Sequence, residues 1–479
     1  MSLLRAFAAL LLLCLALPGL AHEAAAKQTP EQAARELRIL ERAFRDLHPG
    51  LYRYQDEAEL AAVFDQARRD LAGGGTVGDM YLAATRLSAS LRCGHTWTNP
   101  LNQSPAVQAM LADLPVLPVH LRVLQGRWLV VASADPAIAR HDEILAVDGR
   151  SVAELTAGLM PYLRADGASD GKRQAQLTHD GQGGALDRLL PLLHPPGPAG
   201  HRLRLRAPDG RERELNVAAQ RRAARDATLA AAGHGPEDLA WRLEIRGDTA
   251  VMTLPTFAFW NSDFDGRAWL REAFARLDRE GVARLVLDLR QNEGGDSALG
   301  RALMSHLLDR PYTAPAGRVL SAYERVPYAL ARFLDTWDFD FFDRTGRVQR
   351  GADGAWVVDE AARPPTIEPG APRFAGPVLA LVGPRMSSAG FLLARDLQAT
   401  GRARLVGEAT GGNRRGLNGG ELAWLTLPHS GVAVDIPLLA TVHAGEPDAP
   451  VLPDVPAPAT VEDVIAGKDT ALEAALALH

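Results

Sequence analysis

The sequence predicts an α/β protein of several domains, and three observations along the chain lead to this prediction. Near the N-terminus, apolar residues recur at helical spacing in three successive stretches. In the middle, the apolar period changes to that of β-strands. From about Leu239, strands and helices alternate as they do in α/β layers. The length of 479 residues fits two or three domains, and the hydrophobic share of 47% is ample for their cores.

Residues 1–21 have the pattern of a signal peptide. Arg5 precedes the apolar run from Phe7 to Leu17, and small residues stand at the −3 and −1 positions of a cut after Ala21. The run is too short to span a bilayer comfortably, and no other segment is predicted to do so. We therefore expect an exported protein, periplasmic or secreted, without a stable membrane anchor.

Charge and cysteine content exclude some classes of protein. The net charge of −6 is mild and shows no basic stripe, which argues against a nucleic-acid partner. Removal of the signal peptide, which contains Cys14, leaves Cys93 as the only cysteine. No internal disulfide is expected, so the apolar core must stabilise the fold alone.

Residues 22–105 are predicted to form an N-terminal helical domain. Thr29, Pro30 and Gln32 give the pattern of a capped helix start, and Thr76 with Asp79 opens another helix. The three apolar stripes are Leu37, Leu40, Phe44 and Leu47; then Leu60, Phe64, Ala67 and Leu71; then Met80, Ala84, Leu87 and Leu91. The third helix ends at the stretch from Arg92 to Trp97.

Residues 106–235 are predicted to be a β-rich middle region. Strands are expected near 116–121 and 128–131, and residues 201–218 read as a hairpin around Pro208-Asp209-Gly210. The polar, glycine-rich stretch 167–184 is expected to be a mobile loop, and 219–236 a linker.

Residues 236–479 are predicted to form an α/β domain. Strands are expected at 250–254, 283–289 and 378–382, with helices at 265–279 and 299–308. The strand at 378–382 leads through a Gly-Pro break to Ser387-Ser388 at the start of a further helix. A serine there has free backbone N–H groups beside its hydroxyl, as a nucleophile requires, but Ser is also a favoured helix N-cap.

Four separated stretches together resemble one enzyme family. In chain order, Leu91 to Thr96, residues 283–295, residues 377–412 and the end from Leu452 to Leu472 resemble the tricorn and C-terminal-processing (tail-specific) serine peptidases, in particular the tricorn-like branch. The resemblance implies a crotonase/ClpP-like α/β catalytic domain at 236–479. Residues 137–152 are similar to the latter half of a PDZ module, which implies a PDZ-like segment in the middle region.

The resemblance also implies a role for individual residues. The nucleophile would be Ser388, with Ser387 as the alternative, and the general base would be His95. The remaining implied members are Gly294, Gly295 and the backbone N–H of Ala389 as oxyanion hole, and Glu446 as the residue that orients the histidine through a serine.

The identity of the base separates the branches of the family. The lysine of the tail-specific proteases would stand 25 positions after Ser388, where this chain has Asn413. The only lysines are Lys27, Lys172 and Lys468, which lie in a linker, a polar loop and the chain end. A histidine base is therefore favoured over a lysine base.

Other readings of the same residues remain open at this stage. His95 could be a structural histidine at a helix end, and the two glycines could serve a tight turn. Cys93 is interpreted as a small buried residue rather than a nucleophile. The chain departs from the family pattern at three points: Gly94 replaces the serine before the histidine, with Thr96 as a substitute; Phe391 replaces a glutamate; and the gap from Glu446 to Pro453 is one residue longer than usual.

The expected function is that of an exported serine peptidase, acting on polypeptides through an acyl-enzyme. The histidines show no ligand spacing, so no metal and no cofactor is implied. Two alternatives are a non-catalytic protein that binds peptides or apolar ligands on the same fold, and an esterase. The sequence does not determine the oligomeric state.

Overall fold

The computed structural model describes residues 27–179, 184–235, 238–358 and 364–478. The predicted signal peptide therefore lies outside the described residues. The helices are α1 (Pro30–Leu47), α2 (Glu57–Asp70), α3 (Val77–Ser90), α4 (Pro105–Ala112), α5 (Val152–Leu159), α6 (Asp170–Ala175), α7 (Leu186–Leu193), α8 (Arg222–Ala231), α9 (Gly266–Arg279), α10 (Ser297–Ser305), α11 (Tyr328–Ala331), α12 (Ser388–Ala399), α13 (Val461–Ile465) and α14 (Thr470–Ala477), with 3₁₀ turns at Met160–Tyr162 and Phe339–Phe342.

The strands form several sheets. They are β1 (Pro115–Val116), β2 (Val119–Leu124), β3 (Arg127–Ser133), β4 (Glu143–Val147), β5 (Arg150–Ser151), β6 (His201–Arg206), β7 (Glu212–Val217), β8 (Gln220–Arg221), β9 (Arg242–Arg246), β10 (Thr249–Thr253), β11 (Arg284–Asp288), β12 (Tyr312–Thr313), β13 (Arg318–Ser321), β14 (Leu334–Asp335), β15 (Val348–Arg350), β16 (Trp356–Val358), β17 (Thr366–Ile367), β18 (Val378–Val382), β19 (Arg404–Gly407), β20 (Leu422–Thr426), β21 (Ala433–Pro437), β22 (Ala440–Val442) and β23 (Val455–Pro456). The architecture is thus mixed α/β, as the sequence predicts.

The three N-terminal helices are confirmed, together with the caps predicted for the first and the third. Thr29 and Gln32 form a reciprocal capping box at the start of α1, with Pro30 as the first helical residue, and Thr76 and Asp79 do the same for α3. The predicted stripes are buried. They share one apolar core with the sheet β14–β20–β21, so the N-terminal helices pack directly on strands from the last third of the chain.

The middle region is built on a sheet with the strand order β2–β3–β4–β6–β7. The predicted hairpin is confirmed, since β6 and β7 pair in antiparallel register on either side of residues 207–211. The prediction of a structureless linker at 219–236 was wrong, because α8 occupies most of it. Arg225 of α8 is buried and forms an ion pair with the buried Asp187, so this helix is held by a charge pair rather than by an apolar stripe that the sequence would reveal.

The stretch 167–184 also differs from its prediction. Residues 170–175 form α6, and Lys172 and Arg173 on it are almost completely buried. Residues 180–183 of this stretch lie outside the described residues. The polar residues of this stretch therefore pack against other charged groups and do not form a loop in solvent.

The C-terminal sheet has the strand order β23–β19–β18–β11–β10–β9. Neighbouring strands from β10 to β23 are parallel, and only β9 runs antiparallel. The carboxyl ends of β11 and β18 therefore meet at one edge, where open α/β sheets bind their ligands. No helix in the described ranges combines the length and the apolar character that a bilayer crossing requires.

His48 provides a test of the packing within the N-terminal region. It caps the C-terminus of α1, and its Nε2 lies 2.9 Å from the hydroxyl of Thr96. Burial, aided by the charge of Arg53, lowers the pKa of His48 to about 3. In the unfolded chain, His48 takes up a proton below about pH 6.5. In the folded chain, His48 stays neutral down to about pH 3.

We expect the free energy of unfolding to fall as the pH decreases from about 6.5 towards 3, with His48 contributing up to about 1.4 kcal/mol per pH unit. Urea unfolding at a series of pH values measures this slope. The His48→Gln variant should have the flatter dependence, and the matched variant of the exposed His234, His234→Gln, should keep the slope of the wild type. Equal slopes in all three proteins would contradict this assignment.

Candidate active site

Ser388 occupies a strained turn between β18 and α12. It is the first residue of α12 and adopts φ +51°, a value that residues other than glycine rarely have. Such left-handed conformations cost about 1–3 kcal/mol and concentrate at functional sites. The neighbouring Ser387 holds the N-cap position, but its side chain makes no capping hydrogen bond. Helix capping therefore explains neither serine hydroxyl.

The loop after β11 packs directly on this turn. Gly294 has φ +104°, and a Cβ atom on it would lie 2.7 Å from Cβ of Ser388. Only glycine allows the two loops to approach so closely. Asn292 fixes the loop, because its amide donates to the carbonyl of Leu254 at 2.9 Å and its Oδ1 accepts from the N–H of Gly294 at 2.9 Å.

His95 reaches Ser388 from the other side, 293 positions away in the chain. Its Nε2 lies 3.1 Å from Oγ of Ser388. The imidazole ring keeps part of its surface exposed, whereas its Nδ1 atom is buried. The structure thus places the two residues that the sequence assigned as nucleophile and base within hydrogen-bond distance.

The surroundings of His95 keep the imidazole neutral. Burial lowers the pKa of His95, and the positive charges of Arg164 and Lys172 act in the same direction. The carboxylates of Asp166 and Glu293 oppose this and favour the protonated form. A neutral imidazole at neutral pH is the state that can accept a proton from a hydroxyl group.

Two backbone N–H groups near Ser388 are candidates to stabilise an oxyanion. Ala389 is the second residue of α12, where an N–H has no acceptor within the helix. Gly295 has φ +128° and follows Gly294 in the loop that packs on Ser388. The N–H of Gly294 itself already donates to Asn292. Of the three N–H groups that the resemblance assigns to an oxyanion hole, that of Gly294 therefore already has an acceptor, and those of Ala389 and Gly295 are the candidates.

Glu446 lies away from the pair. Its carboxylate accepts from Nε of Arg414 at 2.8 Å, and both side chains are partly exposed. Among the hydrogen bonds of the described residues, none joins Glu446 to His95. The hydroxyl of Thr96 contacts His48 instead. Neither contact supplies a partner for Nδ1 of His95.

Cys93 and Phe391 have structural surroundings. Cys93 is buried and free, and its sulfur accepts from the amide of Asn418 at 3.3 Å. Burial raises the pKa of its thiol, which opposes formation of a thiolate. Phe391 belongs to the apolar core under the sheet and contacts Gly412 closely. Phe391 is therefore a core residue of α12.

Sequence reasoning missed a cluster of charges beside the serines. Lys172 of α6 is 1% exposed, and its Nζ lies 2.7 Å from Oγ of Ser387, 3.1 Å from Oε2 of Glu293 and 3.3 Å from the carbonyl of Arg385. Arg164 and Arg385 also pair with Glu293, each at 3.3 Å. The available signal was that Lys172 is the single lysine between Lys27 and Lys468.

The charged groups in this cluster shift one another's pKa values. Burial opposes ionisation of Glu293, but Lys172 and Arg164 outweigh it and hold the pKa of Glu293 below its usual range. Burial lowers the pKa of Lys172 to about 8, although Glu293 favours its charged form. Within the part of the chain that the structure describes, no group of three or more His, Cys, Asp or Glu residues is arranged to hold a metal ion.

The chain is similar to one protein family and to several solved structures. The model of peptidase family S41 matches residues 248–455. A solved structure of mature CPAF complexed with lactacystin is similar to this chain at 16% identity, covering 91% of this chain and 95% of the other, with a TM-score of 0.60. Mature CPAF without that compound gives 16% identity, 91% and 94% coverage and a TM-score of 0.59.

A structure of the photosystem II D1 C-terminal processing protease matches at 18% identity, over 92% of this chain and 98% of that one, with a TM-score of 0.38. No curated protein matches the sequence.

The contact between Gly419 and His95 allows the position of the ring to be tested. A Cβ atom on Gly419 would lie 3.3 Å from Nε2 and 3.4 Å from Cδ2 and Cε1 of His95. We expect Gly419→Ala to displace the ring by a few tenths of an ångström and to slow the reaction of Ser388 with a fluorophosphonate roughly 10-fold. Gly158→Ala, in α5 with no atom near the added methyl group, is the matched control. Equal labelling rates for the two variants would show that Gly419 does not position the ring.

Proposed function

We propose that Ser388 is the nucleophile and His95 the general base of a serine-type peptidase, in line with the match of residues 248–455 to the model of peptidase family S41. One observation carries this proposal. Nε2 of His95 lies 3.1 Å from the hydroxyl of a serine that adopts φ +51° at the N-terminus of a helix. A nucleophile within hydrogen-bond distance of a neutral base, beside free backbone N–H groups, is the arrangement that acyl transfer requires.

The reaction would proceed in two steps. In the first, His95 accepts the proton of Ser388 while Oγ forms a bond to the peptide carbonyl carbon. The oxyanion that results would be stabilised by the N–H groups of Ala389 and Gly295, and His95 then returns the proton to the leaving amine as the C–N bond breaks. In the second step, water attacks the acyl-enzyme with His95 again as base, and release of the acid restores Ser388.

Lys172 and Ser387 form a second pair of base and hydroxyl, because a lysine with a pKa of about 8 lies 2.7 Å from the hydroxyl of Ser387. Three acceptors surround Nζ of Lys172, as an ammonium group with three N–H donors requires. The hydroxyl of Ser387 also donates to the carbonyl of Glu293 at 3.2 Å. Ser387 is 5% exposed, whereas Ser388 is partly exposed. These contacts favour a charged, structural lysine and leave Ser388 as the accessible nucleophile.

The substrate class that we propose is a polypeptide. The match to the family model supports a peptide substrate, and Ser388 is partly exposed. We also propose that the C-terminal domain is crotonase-like and that the middle region is PDZ-like. The parallel order of β10, β11, β18 and β19 supports the first, and the sheet of β2, β3, β4 and β6 with α5 supports the second. An esterase and a non-catalytic binding protein remain the alternatives.

The two serines make the proposal testable. We expect Ser388→Ala to reduce cleavage of an unfolded protein such as reduced, alkylated casein by about 10³-fold or more, and to abolish labelling by a fluorophosphonate. Ser387→Ala, which removes the neighbouring hydroxyl, should leave labelling at position 388 in place. Peptide mapping of the labelled protein identifies the serine that reacts.

Each alternative predicts a different result. Labelling at Ser387, with cleavage retained in Ser388→Ala, would assign the reaction to the Lys172 pair. Labelling at Ser388 with hydrolysis of a nitrophenyl ester but no cleavage of casein would indicate an esterase. Absence of labelling in the wild type would indicate a binding protein.

We propose further that the protein is exported, which rests on the pattern of residues 1–21. Expression of the full chain in a Gram-negative host should yield a mature protein that begins at His22, recovered from the periplasm. Edman sequencing of the purified protein measures this. A Leu11→Arg variant, which interrupts the apolar run, should accumulate with its N-terminus intact in the cytoplasm. A wild-type protein that retains residues 1–21 in the cytoplasm would contradict export.

A further inference from the structure

Two buried polar atoms beside the serine–histidine pair lack partners in the described part of the chain. One is Nδ1 of His95, the ring nitrogen that points away from the contact with Ser388. The other is Oδ2 of Asp166, a residue that is 2% exposed. A buried polar atom without a hydrogen bond costs free energy, and here one atom can donate and the other can accept.

The two atoms belong to groups that are held side by side. Oδ1 of Asp166 accepts from the N–H of Gly94 at 2.8 Å, and Gly94 directly precedes His95. A Cβ atom on Gly94 would lie 2.6 Å from Oδ2 of Asp166. The carboxylate therefore occupies the space that any side chain at position 94 would need. Glycine at this position is what allows a carboxylate to lie against the histidine.

The backbone around Asp166 is fixed on both sides. The N–H of Gly167 donates to the carbonyl of Arg92 at 2.9 Å, which joins this turn to the turn that carries His95. On the other side, the amide of Asn413 donates to the carbonyl of Asp166 at 3.4 Å. A carboxylate held in this way keeps its position when the proton moves within the serine–histidine pair.

We propose that Asp166 is the residue that positions His95, by accepting a hydrogen bond from Nδ1–H directly or through one water molecule. This inference rests on the proposed roles of Ser388 and His95, and it gives to Asp166 the part that the sequence assigned to Glu446. A proton on Nδ1 leaves Nε2 unprotonated, which is the tautomer that can accept the proton of Ser388. The carboxylate also stabilises the imidazolium that forms during the reaction.

The other charges around His95 determine how the effect can be measured. Arg164 and Lys172 disfavour the imidazolium, and Glu293 and Asp166 favour it. Loss of the charge on Asp166 should therefore lower the pKa of His95 further. A purely structural role for Asp166 would not change the titration of the ring, provided that the turn keeps its backbone contacts.

Asp166→Asn is the informative variant, because its amide oxygen can still accept from the N–H of Gly94. We expect kcat for casein-derived peptides to fall about 10²–10⁴-fold with little change in KM. The acidic limb of kcat/KM should move to lower pH, because the pKa of His95 falls. Asp448→Asn is the matched control, since Asp448 holds the same turn through the N–H of Ala168 at 2.9 Å and the amide of Asn413 at 2.6 Å.

A second measurement does not depend on activity. In the Ser388→Ala background, ¹⁵N NMR of the imidazole groups reports the tautomer and the pKa of His95, and His95→Gln assigns its signal among the 13 histidines. We expect a proton on Nδ1 that depends on Asp166, and a lower pKa in the Asp166→Asn protein. An unchanged tautomer and pKa in that protein would overturn the inference, as would an equal shift in Asp448→Asn. A wild type that fails to react at Ser388 would instead overturn the proposed function.

Discussion

The contact between His95 and Ser388 depends on a third piece of chain, the segment 164–176 of the middle region. The two residues are 293 positions apart and come from a turn after a helix and a turn after a strand. The segment 164–176 contacts both turns: Asp166 and Gly167 bind the backbone around Gly94, and Lys172 binds Ser387. A displacement of this segment would therefore change the distance between the proposed nucleophile and the proposed base. The middle region is thus part of the candidate site and not only a neighbour of it.

The same segment also sets the electrostatic conditions of the reaction. It contributes two cations, Arg164 and Lys172, to the single carboxylate of Glu293, and Arg385 supplies another. Burying such charges is costly unless they are paired. The cluster therefore favours one arrangement of segment 164–176 against the serine turn, and it contributes little to the free energy of folding. Burial lowers the pKa of His95, and Arg164 and Lys172 of this cluster act in the same direction. If such a neutral histidine is the base, as proposed, a nearby carboxylate would stabilise its protonated form during the reaction.

The parts of the fold that could be predicted from sequence are those determined by neighbouring residues. The three N-terminal helices, two of them with their caps, the hairpin at 201–218, the buried strand Val378–Val382 and the serine turn after it all follow from short-range pattern and turn chemistry. Helix α8 and the environment of Lys172 could not be predicted in this way, because both depend on burying charged groups against partners far away in the chain. Polar composition indicates solvent exposure unless a distant partner compensates the charge, and a single sequence does not reveal that partner.

The departures from the family pattern acquire a physical meaning once the packing is considered. Phe391 is 1% exposed in the core beneath the sheet, so its effect is on how α12 packs and not on the groups around Ser388. Gly94 removes a side chain beside His95, and the carboxylate of Asp166 fills the space that results. The two features are complementary, since a serine at position 94 would collide with Asp166, and Gly94 without Asp166 would leave a gap beside Nδ1. In the proposed arrangement the missing side chain at position 94 thus lets Asp166 supply the carboxylate beside His95, whereas Glu446 pairs with Arg414 at the surface.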